Sequence, residues 1–155
     1  MEQKFLREAI RLSLDKMEAG EGGPFGAVVV KEGVVVGRGW NRVTSANDPT
    51  AHAEVEAIRQ ACENLKTFSL AGCEIYASCE PCPMCLSAIY WARLDALYFA
   101  ASREDAAAAG FDDAVLYDEV AKDWPTRSLA AEQDLRTEAQ AVFKRWASKS
   151  EKTPY

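Results

Sequence analysis

Two short stretches of this 155-residue chain bring together residue types at the spacing of a metal site. In "TAHAEVEAI", residues 50–58, the single histidine of the chain, His52, stands two positions before Glu54. In "SCEPCPMC", residues 78–85, Cys82 and Cys85 follow Pro81 in a C-x-x-C pair. A histidine alone in a helix is more often packed or exposed than ligating, and its company is what changes that reading. A C-x-x-C pair in the first turn of a helix puts both sulfurs on one face. The partial positive charge of that helix end favours their thiolate forms.

With His52 supplied by another helix start, the set becomes three ligands with one tetrahedral position open, which is the arrangement of catalytic rather than closed structural zinc. One neutral imidazole and two thiolates cancel the charge of Zn²⁺, so the ion would acidify water less than an all-histidine site would. A base close by then becomes valuable, and Glu54 could take a proton from water and hand it to a leaving nitrogen. The competing arrangement is a closed Cys₃His site that recruits Cys79, since Cys79, Cys82 and Cys85 form C-x-x-C-x-x-C. Pro81 and the end of a strand separate Cys79 from the helical pair and turn its side chain away. Cys62 and Cys73 read as ordinary buried thiols.

The elements that must position these groups are legible as patterns. Residues 2–19 have a mostly helical apolar pattern ending at Gly20. "GGPFGAVVVKEGVVVGRGWN" predicts two strands joined by a tight turn at Lys31-Glu32-Gly33. Asp48 and Thr50 can cap a helix beginning near Ala51, so that His52 and Glu54 fall in its first turn. "CEIYAS" at 73–78 predicts a buried strand, followed by an apolar helix through about Arg93 and another strand at 95–101. Beyond it, Ala106–Ala109 suggests a helical turn, "GFDDAVLYDEV" is ambiguous and residues 137–150 are helical. With no repeat, low-complexity tract or linker, helices interleaved with strands predict one α/β domain over 1–155.

Composition sets the outer limits. Hydrophobic residues are 48% and charged residues 27%, as in ordinary globular chains. No apolar run reaches the ~18 residues of a membrane span, and the acid-containing amphipathic start is unlike a signal sequence. Five cysteines, an odd number in one cluster, suit metal binding in a reducing compartment better than disulfides, and a cytoplasmic location is expected. A net charge of −6 without a basic stripe argues against a nucleic-acid partner.

Taken together, His52-Ala53-Glu54 and Pro81-Cys82-Pro83-Met84-Cys85 resemble the H-x-E…P-C-x-x-C signature of the zinc-dependent nucleobase deaminases. The resemblance extends from "GGPFGAVVV" through "NDPTAHAEV" and "SCEPCPMCLSAIYWAR" to "GFDDAVLY", and is greatest to the bacterial guanine-deaminase branch. Residues 121–136 match nothing in it. The resemblance implies a three-layer α/β/α sandwich with a mixed five-stranded sheet and a homodimer. It also implies zinc on His52, Cys82 and Cys85, proton shuttling by Glu54, and hydrolysis of guanine to xanthine and ammonia by zinc-activated hydroxide.

Substrate contacts are implied at Asn41, Ala53, Asp113, Phe25, Trp91 and the terminal Tyr155. Each has a plainer reading. Asn41 suits a turn, Asp113 a solvated loop, Phe25 and Trp91 the core, and Tyr155 a frayed end. Deamination of tRNA adenosine, of cytosine or an aminotriazine, and a zinc-held interaction module without chemistry are the alternatives. An RNA editor is expected to offer basic and aromatic side chains, whereas "EDAAAAGFDDAVLYDEVAKD" is acidic.

Overall fold

The two runs of valine after Gly26 fold as a hairpin, with β1 over Gly26–Lys31 and β2 over Val34–Trp40, turning at Glu32 and Gly33, both at positive φ. The computed structural model describes residues 1–154. Before the hairpin runs α1 (Gln3–Glu18). After it come α2 (Val43–Ala46), α3 (Ala53–Leu65), β3 (Cys73–Cys79), α4 (Pro83–Trp91), β4 (Ala96–Ala101) and α5 (Arg103–Ala108). α6 (Ala114–Ala121), a 3₁₀ turn at Trp124–Thr126 and α7 (Arg136–Ser148) complete the described chain.

Among the described residues the sheet has four strands in the order β2-β1-β3-β4, with β1 antiparallel to both neighbours and β3 parallel to β4. The expected mixed sheet is therefore present with four strands rather than five. The segment after β4 is rich in alanine and has its apolar residues in helical turns, so it continues as α5 and α6 and adds no further strand.

Strand periodicity divides the core. Val28 and Val30 of β1 and Tyr76 of β3 face α1, where Phe5 packs on the Tyr76 ring at 5.2 Å between centroids. Ala27, Val29, Ile75 and Ala77 point to the opposite face and meet Ala53, Ala57 and Ala61 of α3 and Ile89 of α4. α3 lies on β2 almost backbone to backbone: a Cβ at Gly39 would stand 2.0 Å from the Ala53 carbonyl oxygen and 2.3 Å from the Ala57 nitrogen. Glycine in the strand and alanine on the helix make that approach possible, and it sets the start of α3 against the end of β2.

The chain divides into two compact units, Met1–Ala114 and Val115–Tyr155. Among the described residues, all the buried ones belong to the first. Within the second, Glu119 accepts from the Ser128 backbone N–H at 2.8 Å and pairs with Lys122 at 2.6 Å, while the Arg127 guanidinium lies 4.2 Å from the centre of the Trp124 ring.

Candidate active site

Both motif stretches fold as helix starts. His52 is the N-cap residue of α3 and Cys82 that of α4, with Pro83 in the first helical position and Cys85 two residues further in. Asp48 and Thr50 do not cap α3. Asp48 Oδ1 instead accepts from the Thr50 backbone N–H at 2.8 Å and from its hydroxyl at 2.7 Å. That closed turn delays the helix until Ala53 and leaves His52 extended at its mouth, with its side chain free of capping duty.

His52 Nδ1 stands 3.6 Å from Cys82 Sγ and 3.5 Å from Cys85 Sγ, and the three donor atoms all lie within 4.8 Å of one another. A nitrogen about 2.05 Å and a sulfur about 2.3 Å from one tetrahedral centre stand about 3.6 Å apart. The spacing and the donor set therefore fit zinc. The pKa of Cys82 is pushed down to about 4 by hydrogen bonding from Cys85 and His52, which favours the thiolate form of this sulfur. The Cys85 thiol that gives this hydrogen bond is held up.

Glu54 is 7% exposed, and burial raises the pKa of its carboxyl although it shares a hydrogen bond with Cys85. A carboxyl held up by burial beside the metal donors is equipped to carry a proton both ways. Cys79 is turned off this cluster, with its sulfur 3.4 Å from the Ser102 carbonyl oxygen, and burial raises its pKa. The described metal-capable group contains His52, Cys82 and Cys85 without it.

These groups open onto a cavity of about 530 Å³. Phe25, Asn41 and Asp113 also line it, as does Phe111, whose ring meets Phe25 edge-on at 5.0 Å and 88°. Asn41 Oδ1 accepts from the backbone N–H groups of Gly23 and Val43, each at 3.2 Å, so the amide nitrogen is the end left to donate. The paired acids of "GFDD" divide their work. Asp112 accepts from the Ala114 N–H at 2.9 Å, whereas Asp113 lines the cavity with its pKa raised by burial.

Ala53 and Trp91 are not among the residues that line this cavity. The Ala53 side chain is buried in the core under β2, and its neighbours His52 and Glu54 are the ones that line the cavity. Trp91 is 67% exposed at the end of α4, beside Ser87, Tyr90 and Arg93, which corrects its reading as a core residue. Trp91 follows Ile89 by two residues, roughly half a turn of helix, so it projects off the face that packs on the sheet through Ile89 and Ala92. Tyr155 lies outside the described residues. Sequence reasoning missed Phe111, Glu80, Thr44 and Arg103 in the cavity wall. Only Phe111 carried a usable signal, as an aromatic beside the Asp pair.

Comparison with known proteins agrees with this geometry. Residues 1–101 match the model of the cytidine and deoxycytidylate deaminase zinc-binding region. A guanine deaminase of Bacillus subtilis is 49% identical over 153 residues, covering 99% of this chain and 98% of that protein. The X-ray structure of guanine deaminase from Bacillus subtilis superposes with a TM-score of 0.97 at 48% identity, covering 100% of this chain and 99% of that one. A tRNA-specific adenosine deaminase of Aquifex aeolicus is 44% identical over 97 residues, 63% of this chain and 64% of that protein.

Proposed function

The chain belongs to the zinc-dependent cytidine and deoxycytidylate deaminase family, and from that premise we propose that it hydrolyses guanine to xanthine and ammonia. The observation that carries the chemistry is that a zinc-fitting donor trio opens through His52 and Cys82 onto a cavity that a buried carboxyl, Glu54, also lines. The choice of guanine is supported by the whole-chain match to a guanine deaminase, against the partial match to a tRNA-specific adenosine deaminase.

The cofactor is zinc, held by His52, Cys82 and Cys85, and when bound it supplies the Lewis acidity that makes water nucleophilic near neutral pH. Glu54 takes a proton from the attacking water on a carboxylate oxygen and returns it to the amine leaving C2 of guanine. Asn41 donates from its amide nitrogen to an acceptor of the base, and Asp113 accepts from ring N–H groups. Phe25 gives the base an aromatic surface and helps exclude water. Ala53 and Tyr155 remain contacts on the family resemblance alone.

The single-domain reading of 1–155 is supported by the relative that matches end to end. A homodimer in the cytoplasm is the assembly and location we assign, supported by Tyr90 and Trp91 exposed side by side on α4. Among the described residues no helix is long and apolar enough to cross a membrane.

Ammonia release measured across free bases, nucleosides, an aminotriazine and a tRNA anticodon stem tests the reading. Guanine should be turned over well ahead of the rest. Deamination of adenosine in the RNA with guanine untouched would reverse it.

A further inference from the structure

Glu21 sits in the turn after α1, outside the metal cluster, and every oxygen it owns is engaged. Its Oε1 pairs with Lys16 Nζ at 2.9 Å, its Oε2 accepts from the Trp40 indole N–H at 2.6 Å, and its backbone carbonyl accepts from the Ser45 hydroxyl at 2.7 Å. The Lys16 ammonium also lies 4.1 Å from the centre of the Trp40 ring. The carboxylate thus ties the end of α1 to the end of β2, and the backbone carbonyl of the same residue holds the short α2.

The residues on either side of these ties are the ones that hold Asn41. Trp40 precedes it, and Gly22 follows Glu21. A Cβ at Gly22 would stand 2.0 Å from the Asn41 carbonyl oxygen and 2.8 Å from its Oδ1, so the turn lies directly against Asn41. The Gly23 N–H then donates to Asn41 Oδ1 at 3.2 Å, and the Asn41 N–H donates to the Phe25 carbonyl at 3.0 Å. An amide whose oxygen is occupied by two backbone donors has one orientation, with its NH₂ outward. That orientation depends on the turn staying in place.

We propose that Glu21 is a positioning residue for base recognition: by clasping Trp40 and Lys16 with its carboxylate it presses the Gly22–Gly23 backbone onto Asn41 and fixes the asparagine as a hydrogen-bond donor to the substrate. The inference rests on the guanine reading above for its substrate and on the structure alone for its geometry. Glu21 touches neither the base nor the metal donors.

Two measurements on the full zinc-loaded chain test it. In steady-state assays with guanine, Glu21→Ala should raise KM about tenfold, the scale of a lost charged hydrogen bond, with kcat within about twofold. Trp40→Phe, which keeps the ring and loses the N–H, should move KM the same way by less. On an Asn41→Ala background Glu21→Ala should raise KM no further, because a residue acting through Asn41 has nothing left to position. Full multiplication of the two effects, or an unchanged KM in both Glu21→Ala and Trp40→Phe, would overturn the proposal.

The second arm needs no substrate. Amide hydrogen exchange at Gly23 should quicken about tenfold in Glu21→Ala while exchange in α3 and α4 stays put. Unchanged exchange at Gly23 strikes the proposal whatever the substrate is. A wild-type chain that releases no ammonia from guanine strikes only the guanine reading.

Discussion

The floor and the wall of the cavity are built on different principles. The floor is two helix starts, with His52 and Glu54 opening α3 and Cys82 and Cys85 opening α4, each set within a few residues of a helix boundary. The wall is loops. Gly22 and Gly23 follow α1, Asn41 follows β2, and Phe111 and Asp113 follow α5, stitched by hydrogen bonds such as Gly23 to Asn41 across eighteen residues. In the proposed reaction, rigid elements therefore carry the reacting groups, and loops held by long-range bonds are assigned the choice of substrate. The two regions are expected to fail differently, the floor in metal content and kcat, the wall in KM.

The sharpest separation should come from the sulfurs. Cys82→Ala should take zinc from one equivalent per chain to nearly none and turnover with it, while Cys79→Ala keeps both, as metal analysis of the purified variants will read. Equal zinc loss from the two would move Cys79 into a closed four-ligand site and erase the open floor.

Glu54→Gln comes next. It should keep zinc and fold and lower kcat on the order of 10²–10⁴-fold, with KM little changed, since an amide can neither take nor return the proton. Full turnover in this variant would remove Glu54 from the chemistry.

In the wall, Asn41→Asp should leave zinc untouched. A carboxylate can still accept from the Gly23 and Val43 N–H groups but offers the base no donor, so KM should rise about tenfold or more while the melting temperature holds. A change in kcat instead would break the division between wall and floor.

The smallest effect is expected where wall meets floor. Gly39→Ala puts a methyl into the Ala53 and Ala57 backbone and should cost about 1–3 kcal/mol of stability, roughly 2–10 °C in melting temperature. If kcat falls more than KM rises, the shift of α3 has been felt through Glu54, and the helix start belongs to the floor in fact as well as in place.

Much of this was written in short-range pattern. C-x-x-C spacing puts its two sulfurs on one face of a helix start, and H-x-E sets a histidine and a carboxyl at the mouth of another, His52 as the extended N-cap and Glu54 in the first turn. The hairpin turn at Glu32–Gly33 and the buried run of β3 were equally plain. Errors gathered where local signals competed. Asp48 and Thr50 have the chemistry of caps and spent it on each other, and Trp91 shares an apolar helix with Ile89 yet lies on the side turned away from the core. The expected fifth strand gave way to helix because nothing after β4 alternates with a period of two.

By itself the sequence determined the donor set, the carboxyl beside it and the helix starts that present them, because each depends on residues a few positions apart. Tertiary structure alone decided that the β2 end, the turn after α1 and the loop after α5 would close on those helix starts. It also decided which end of the Asn41 amide is left free to donate. That amide has two ends of nearly equal size, and only the backbone N–H groups of Gly23 and Val43, brought to its oxygen by the fold, tell them apart.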